Sequence, residues 1–428
     1  MGAQGILILY LVFFFLDLGW DFTLTFLNLS HVRKKAGAVP ASFAGVVDPE
    51  THARSVSYTL TRGKFGLVSA AVSAAAVLIV VLSGFLGYLD ALLRSVPIHP
   101  YFQGILFVAA VSAVFTVVRL PFSLYSTFAI EARFGFNRTT LEIYLVDMLK
   151  GLAISIVLGA PVLLALFWFV DATGPLWWIW AFAAMTAFQL VMSILAPLVI
   201  APMFNKFTPL PEGSLKDRIL ELADRLGFRT RGIFIVDSSK RSRHSNAYFT
   251  GLGRAKRIVL FDTLVSSNTE EEIVSVLAHE IGHEKRAHIK KGLAISIALS
   301  LAGFFILSLL LHWGALYQAF GFTRPGTPAL LVLLTFCSGP FTFFLQPLFT
   351  MRSRRQEYEA DRFAVQGVGS AAGLKSALLR LSRDNLSNLS PHPLYSFFHY
   401  SHPTLAERLA ALDRAEKALQ PEKALQPA

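Results

Sequence analysis

His279 and His283 stand four residues apart in the stretch SVLAHEIGHEKRAH (residues 275–288), and Glu280 follows the first directly. On an α-helix, positions i and i+4 share a face, so both imidazoles can reach one tetrahedral ion. Glu280 then lies beside that ion. There it can take a proton from a water activated by the metal and later deliver it to a leaving amine. This is the H-E-x-x-H arrangement of zinc proteases. With 11 histidines and 28 acidic residues in 428 positions, chance would produce it roughly 0.02 times per chain.

A catalytic zinc needs a third protein ligand and an open position. The metzincin spacing would require a histidine at 289, where this chain has Ile289. His288 is five residues beyond His283 and turned away from the first pair on a continuous helix, so it reads as an outer-shell or surface residue. A glutamate on a second helix is the remaining route. In RRQEYEADRFA, Glu357 and Asp361 are i and i+4 and share a face, while Glu359 points elsewhere. Glu357 fits as third ligand and Asp361 as the carboxylate orienting a ligand histidine. In isolation the same charges would read as a solvated face between Arg355 and Arg362.

Peptide hydrolysis also needs a support for the substrate backbone and donors for the developing oxyanion. The segment Asn246, Ala247, Tyr248 and Phe249 lies just upstream of the zinc helix and could accept a peptide by edge-strand addition. Asn246 and His402 are candidate donors to the oxyanion. Spacing alone leaves both open, since a turn asparagine and a loop His-Pro are common structural features.

The elements that must position these groups are mostly apolar helices. The chain is 54% hydrophobic and 16% charged, with a mean hydropathy of +0.53, which indicates membrane residence. The net charge of +11 is not gathered into an aromatic-interleaved basic domain, which argues against nucleic acid as a partner. Seven spans are expected near 5–29, 66–93, 102–130, 148–171, 176–203, 289–320 and 327–351. Asp17, Asp21, Arg119 and Asp147 within or beside them suggest a wet interior or interhelical pairs. Basic residues cluster after the first span, so the positive-inside rule places residues 204–288 and 352–428 together on the cytosolic face.

The expected organisation is therefore spans one to five over 1–203 and a cytosolic metalloprotease domain over 204–288. Spans six and seven over 289–351 and a cytosolic C-terminal segment over 352–428 complete it. The domain reads as small and α/β. A helix over 214–228 opens at Ser214 as N-cap, and runs at 232–237 and 257–264 read as strands. A turn at Gly251 to Gly253 would pair NAYF with RIVLF. The duplicated EKALQPEKALQPA ending reads as a frayed tail. The single Cys337 lies in an apolar run and offers neither a disulfide nor a metal site.

Taken together, these segments resemble the type I CAAX prenyl proteases, integral-membrane zinc endopeptidases of the gluzincin group. The resemblance rests on FAIEARFGFNRTTLEIYLVDMLKG, IAPMFNKFTPLPEG, SSKRSRHSNAYFTG, KRIVLFDTLV, HEIGHEKRAH, RSRRQEYEADRFA and SHPTLAERLAAL, in this order along nearly the whole chain. It implies one Zn2+ held by His279, His283 and Glu357, with Glu280 as base and Asn246 and His402 as transition-state donors. It also implies a substrate edge at Asn246 to Phe249, and Arg408 near the substrate carboxylate end. The implied fold is an all-α membrane protein, seven transmembrane helices forming a barrel around a water-filled chamber, carrying a small cytosolic α/β metalloprotease domain.

The family's substrates are C-terminal CAAX tails, cut after a prenylated cysteine to release three residues. The expected partners are thus such a peptide or protein and membrane lipid. The compact loops and short tail favour a bacterial cytoplasmic membrane over the endoplasmic reticulum, and with it a substrate without a prenyl group. A quality-control protease for misfolded membrane polypeptides is the close alternative, opposed by the span count. A transporter or receptor with structural zinc is the distant one, opposed by Glu280, for which a structural site has no use.

Overall fold

The computed structural model describes residues 1–250 and 256–424. Its helices are α1 (Ala3–Lys35), α2 (Pro49–Leu82), α3 (Phe85–Arg94), α4 (Pro100–Tyr125), α5 (Leu141–Ala172), α6 (Trp177–Leu195) and α7 (Ala201–Phe204). There follow α8 (Ser214–Arg225), α9 (Asp262–Ser267), α10 (Glu270–Lys285), α11 (His288–Leu310), α12 (Gly314–Ala319) and α13 (Thr327–Thr342). The last are α14 (Gln346–Val368), α15 (Ala372–Asp384), α16 (Pro393–His399) and α17 (Leu405–Ala424). Seven helical stretches are long and apolar enough to cross a membrane. They are α1, α2, α4 with its continuation to Glu131, α5, residues 174–204, α11, and the α13–α14 stretch.

Three expected span boundaries are corrected. The second span starts at Pro49 rather than 66, because Asp48 caps it by accepting from the Thr51 amide and Pro49 fits the first helical turn. It ends at Leu82 rather than 93: Gly84, at φ 74°, turns the chain, and α3 is a separate helix. The sixth span likewise stops at Leu310, with α12 distinct beyond it. Ser214 is the first residue of α8 rather than its cap. The tail stays helical to Ala424, and the turn expected at 251–253 lies outside the described residues.

The spans enclose space instead of filling it. In the fifth and sixth spans none of the most apolar eighteen-residue window is buried, although α6 and α11 pack together. Such exposure alongside helix–helix packing fits a ring of helices around an open interior. One apolar core closes one end of the ring, with Tyr10, Phe107, Tyr317 and Phe320 at its centre. At the other end a cavity of about 850 Å³ reaches from Asp21 and Arg62 to His402 and Arg408. Of the intramembrane charges, Asp21 faces His399 at 3.4 Å and Asp147 forks Arg241 at 2.7 and 2.9 Å.

The small domain carries four strands, β1 (Phe207–Pro209), β2 (Ile233–Val236), β3 (Ala247–Thr250) and β4 (Arg257–Phe261), ordered β1-β2-β4-β3. β2 and β4 are parallel, and β3 pairs antiparallel with β4 with Ala247 opposite Leu260. The expected NAYF–RIVLF pairing is present, whereas β1 was not foreseen, being three residues long with a proline. β3 is the sheet edge. Ile258 and Leu260 pack with Leu277, Ala278 and Ile281 of α10 and Val365 of α14 in a second core.

Candidate metal centre

α10 is fixed at its start by a capping box, in which Thr269 and Glu272 satisfy each other's backbone amides. Three acidic residues in its first turn favour the helix dipole. Its inner face buries Leu277, Ala278 and Ile281, which turns His279 and His283 toward α14. Gly282 lets the two helices approach: a Cβ there would stand 3.1 Å from Ala360 Cα and 3.2 Å from Phe363 Cβ. That contact brings Glu357 opposite the histidine pair.

Three donor groups converge. His279 Nε2 and His283 Nε2 are 3.2 Å apart, and Glu357 Oε2 and Oε1 lie 3.5 and 3.3 Å from them, respectively. Ligands at tetrahedral zinc, about 2.1 Å from the ion, are separated by ~3.4 Å, so this spacing suits a metal. Glu357 is buried and its Oε2 makes no hydrogen bond, an arrangement that a bound cation would satisfy. Burial alone lowers an imidazole, yet the neighbouring carboxylates of Asp361 and Glu357 raise His279 to about 9. Positive charge is therefore favoured at this point. Among the described residues His279, His283 and Glu357 are the only such group of potential ligands.

Asp361 Oδ1 lies 2.8 Å from His279 Nδ1, which leaves Nε2 facing the convergence point. Arg408, placed by the resemblance near the substrate carboxylate end, lines the cavity that holds Glu280 and the histidines. It is buried and grips Asp361 with Nε at 3.0 Å and Nη2 at 2.6 Å, its Nη1 lying 3.7 Å from Glu357. Its charge is thus engaged by two acids beneath the histidine.

His288 is buried, not on the surface, and stands 3.0 Å from His283 Nδ1. Its other nitrogen is 3.1 Å from Glu359, so Glu359 also belongs to the outer layer of the site. Sequence spacing missed this pair because Ala287, at φ 56°, breaks the helix between α10 and α11. The restart swings His288 back under His283. A helical wheel drawn through the break points it away.

Glu280 lines a cavity of about 520 Å³ together with Asn246, Ala247, the three potential ligands and His402. Burial raises its carboxyl above the usual range, against the pull of His279 and His283. His402 Nε2 is 3.4 Å from Glu357, and its side chain is 62% exposed, open to a substrate. Asn246 is exposed and spends only its carbonyl, accepting from the Ala247 amide at 2.8 Å. Tyr248 and Phe249 follow on the edge strand. The cavity therefore brings together a metal-fitting ligand set, a carboxylate, two potential donors and an unpaired strand edge.

Comparison with known proteins gives two family matches. Residues 28–206 match the model of the CAAX prenyl protease N-terminal region with five membrane helices, and residues 209–416 match peptidase family M48. The chain is 37% identical to a CAAX prenyl protease 1 homolog of Arabidopsis thaliana, over 92% of this chain and 95% of that one. It is 37% identical to CAAX prenyl protease 1 of Saccharomyces cerevisiae, over 88% of each. A crystal structure of S. mikatae Ste24p superposes with a TM-score of 0.89 at 34% identity, covering 95% of this chain and 99% of that chain.

Proposed function

Because the chain belongs to the CAAX prenyl protease family of membrane metallopeptidases, we propose that it cuts a C-terminal CAAX tail after its cysteine, releasing three residues. The ion would be zinc, one per chain, held by His279, His283 and Glu357. The observation that carries this reading is the convergence of those donors in one cavity with Glu280. When bound there, zinc supplies a Lewis acid that lowers the pKa of water.

The rest falls to the chain's own groups. The edge of β3, from Asn246 to Phe249, holds the peptide extended by backbone hydrogen bonds. Glu280 takes the proton of the attacking water and hands it to the departing amine. Its raised carboxyl suits both halves of that exchange. Asn246 and His402 donate to the carbonyl oxygen as it gains charge. Asp361 and Arg408 touch no reacting atom. They hold His279 in the tautomer that presents Nε2.

The clustering of basic residues after the first span supports a cytosolic site. Whether the cysteine carries a prenyl group follows from the host membrane. The compact loops favour a bacterial cytoplasmic membrane, in which an unmodified membrane polypeptide would be the natural substrate.

Glu280→Gln should keep zinc and lose cleavage, while Glu357→Ala should lose both. Metal content and mass-spectrometric location of the cut are the readouts. Cleavage by zinc-loaded Glu280→Gln protein at the wild-type rate would overturn the mechanism. Matched farnesylated and unmodified peptides decide prenyl recognition: equal rates remove it and leave the peptidase standing.

A further inference from the structure

Arg408 is held by Asp361 and Glu357 at the level of the histidines, so a carboxylate three residues beyond the bond to be cut calls for another cation. We infer that it is received by a second, cationic cavity beyond the N-terminal end of β3, with Arg243 and Arg383 as its donors. This deepens the peptidase reading above and rests on it.

The direction of the strand selects the place. A peptide joining the free edge of β3 in the antiparallel sense runs from the Thr250 end toward Asn246. Asn246 and Ala247 line the cavity that holds Glu280 and the histidines, so the bond to be cut lies at their level. Residues after that bond continue past Asn246 alongside Ser245, His244 and Arg243. Three extended residues reach ~10 Å, and Arg243 stands three positions before Asn246.

A cavity of about 710 Å³ opens there, lined by Arg54, Arg138, Arg243 and Arg383 against a single acid, Asp384. Its walls continue those of the catalytic cavity along three segments, from Asn246 to Ser245, from Leu264 to Thr263 and from Leu381 to Arg383. Two of those segments bear Arg243 and Arg383. Neighbouring Arg241 is already forked by Asp147. Arg383 meets only the adjacent Asp384, at 3.1 Å and half exposed, a pairing that holds it weakly. No ion pair of Arg54, Arg138 or Arg243 occurs among the described residues. A guanidinium matches a carboxylate with two parallel hydrogen bonds. A fixed cationic stop three residues beyond the cut would also set where the cut falls, measured from the free C-terminus.

The test compares one CAAX peptide as the free acid and as the C-terminal amide, cut by full-length zinc-loaded protein. For the wild type, kcat/KM should favour the acid on the order of tenfold, and the preference should shrink at high salt. In the double variant Arg243→Ala, Arg383→Ala the ratio should fall toward one, and lysine at both positions should restore part of it. Bound zinc per chain verifies that the variants are folded. Equal wild-type rates for acid and amide, or an undiminished ratio in the double variant, overturns the inference while leaving the peptidase intact. Cleavage of neither peptide by the wild type overturns the peptidase reading itself.

Discussion

Gly282 should be hard to replace although it is not itself a potential ligand. A Cβ at this position would lie 3.1 Å from both Cα and O of Ala360 and 3.2 Å from Phe363 Cβ. Non-bonded carbons keep ~3.5–4.0 Å, so α10 and α14 would have to separate by about 0.4 Å or more at this crossing. Ala360 is one helical turn from Glu357, and a rigid helix passes most of that displacement on. Metal–ligand distances tolerate only about 0.2 Å. The helix propensity gained by alanine, at most about 1 kcal/mol, is outweighed by overpacking of about 1–3 kcal/mol.

Gly282→Ala is therefore expected to bind zinc roughly 10–100-fold more weakly, the loss typical when the surroundings of a metal ligand are disturbed. Cleavage should recover in part when zinc is added in excess. Competition against a chelator of known affinity measures the first effect, and peptide turnover across a zinc series the second. Gly292→Ala is the control, since its added Cβ meets open space. If Gly282→Ala holds zinc as tightly as wild type, the close approach of the two helices is not what places Glu357, and the reasoning fails.

Asp361→Asn removes the charge that both His279 and Arg408 face. Zinc affinity should drop about 10–100-fold, and equal affinity in chelator competition would show that Asp361 does not orient His279. Glu272 is buried and bridges α10 to α15, accepting from Ser376 and Arg380. Burial would raise its carboxyl, but the hydrogen bonds from Ser376 and Thr269 and the charge of Arg380 hold it below the usual range. Its contribution to stability is thus present at neutral pH and lost as pH falls through that depressed value. Glu272→Gln should destabilise the domain by about 1–2 kcal/mol and flatten this acid-side loss, as unfolding followed against pH would reveal.

Much of the site was legible because its signals are local. Histidines four apart with an intervening glutamate need only a helix to converge, and 3.6 residues per turn guarantees that. Glu357 and Asp361 could be paired in the same way, and the basic loop after the first span indicated that both motifs share one membrane face. The NAYF edge strand could be read because β-branched runs and turn residues mark a hairpin without reference to anything distant. These are properties of a few neighbouring residues and of the membrane's length scale.

What the sequence could not determine depends on distances between remote segments. Nothing near Arg408 tells that Asp361 will take its charge, because the two are 47 residues apart and meet only when α17 packs on α14. For His288 an outer-shell and a surface position both stayed open, because a single left-handed residue, Ala287, redirects the chain, and a helical pattern carries no trace of one backbone angle. Nothing in the sequence marks Gly282 as a contact point, since only the packing of α14 on α10 sets Ala360 against it. Local periodicity thus determined which residues could bind a metal and share a membrane face. Only the tertiary packing decided which charges remain free for a substrate, since electrostatic partnership falls off within a few ångströms and those ångströms are set by helices crossing.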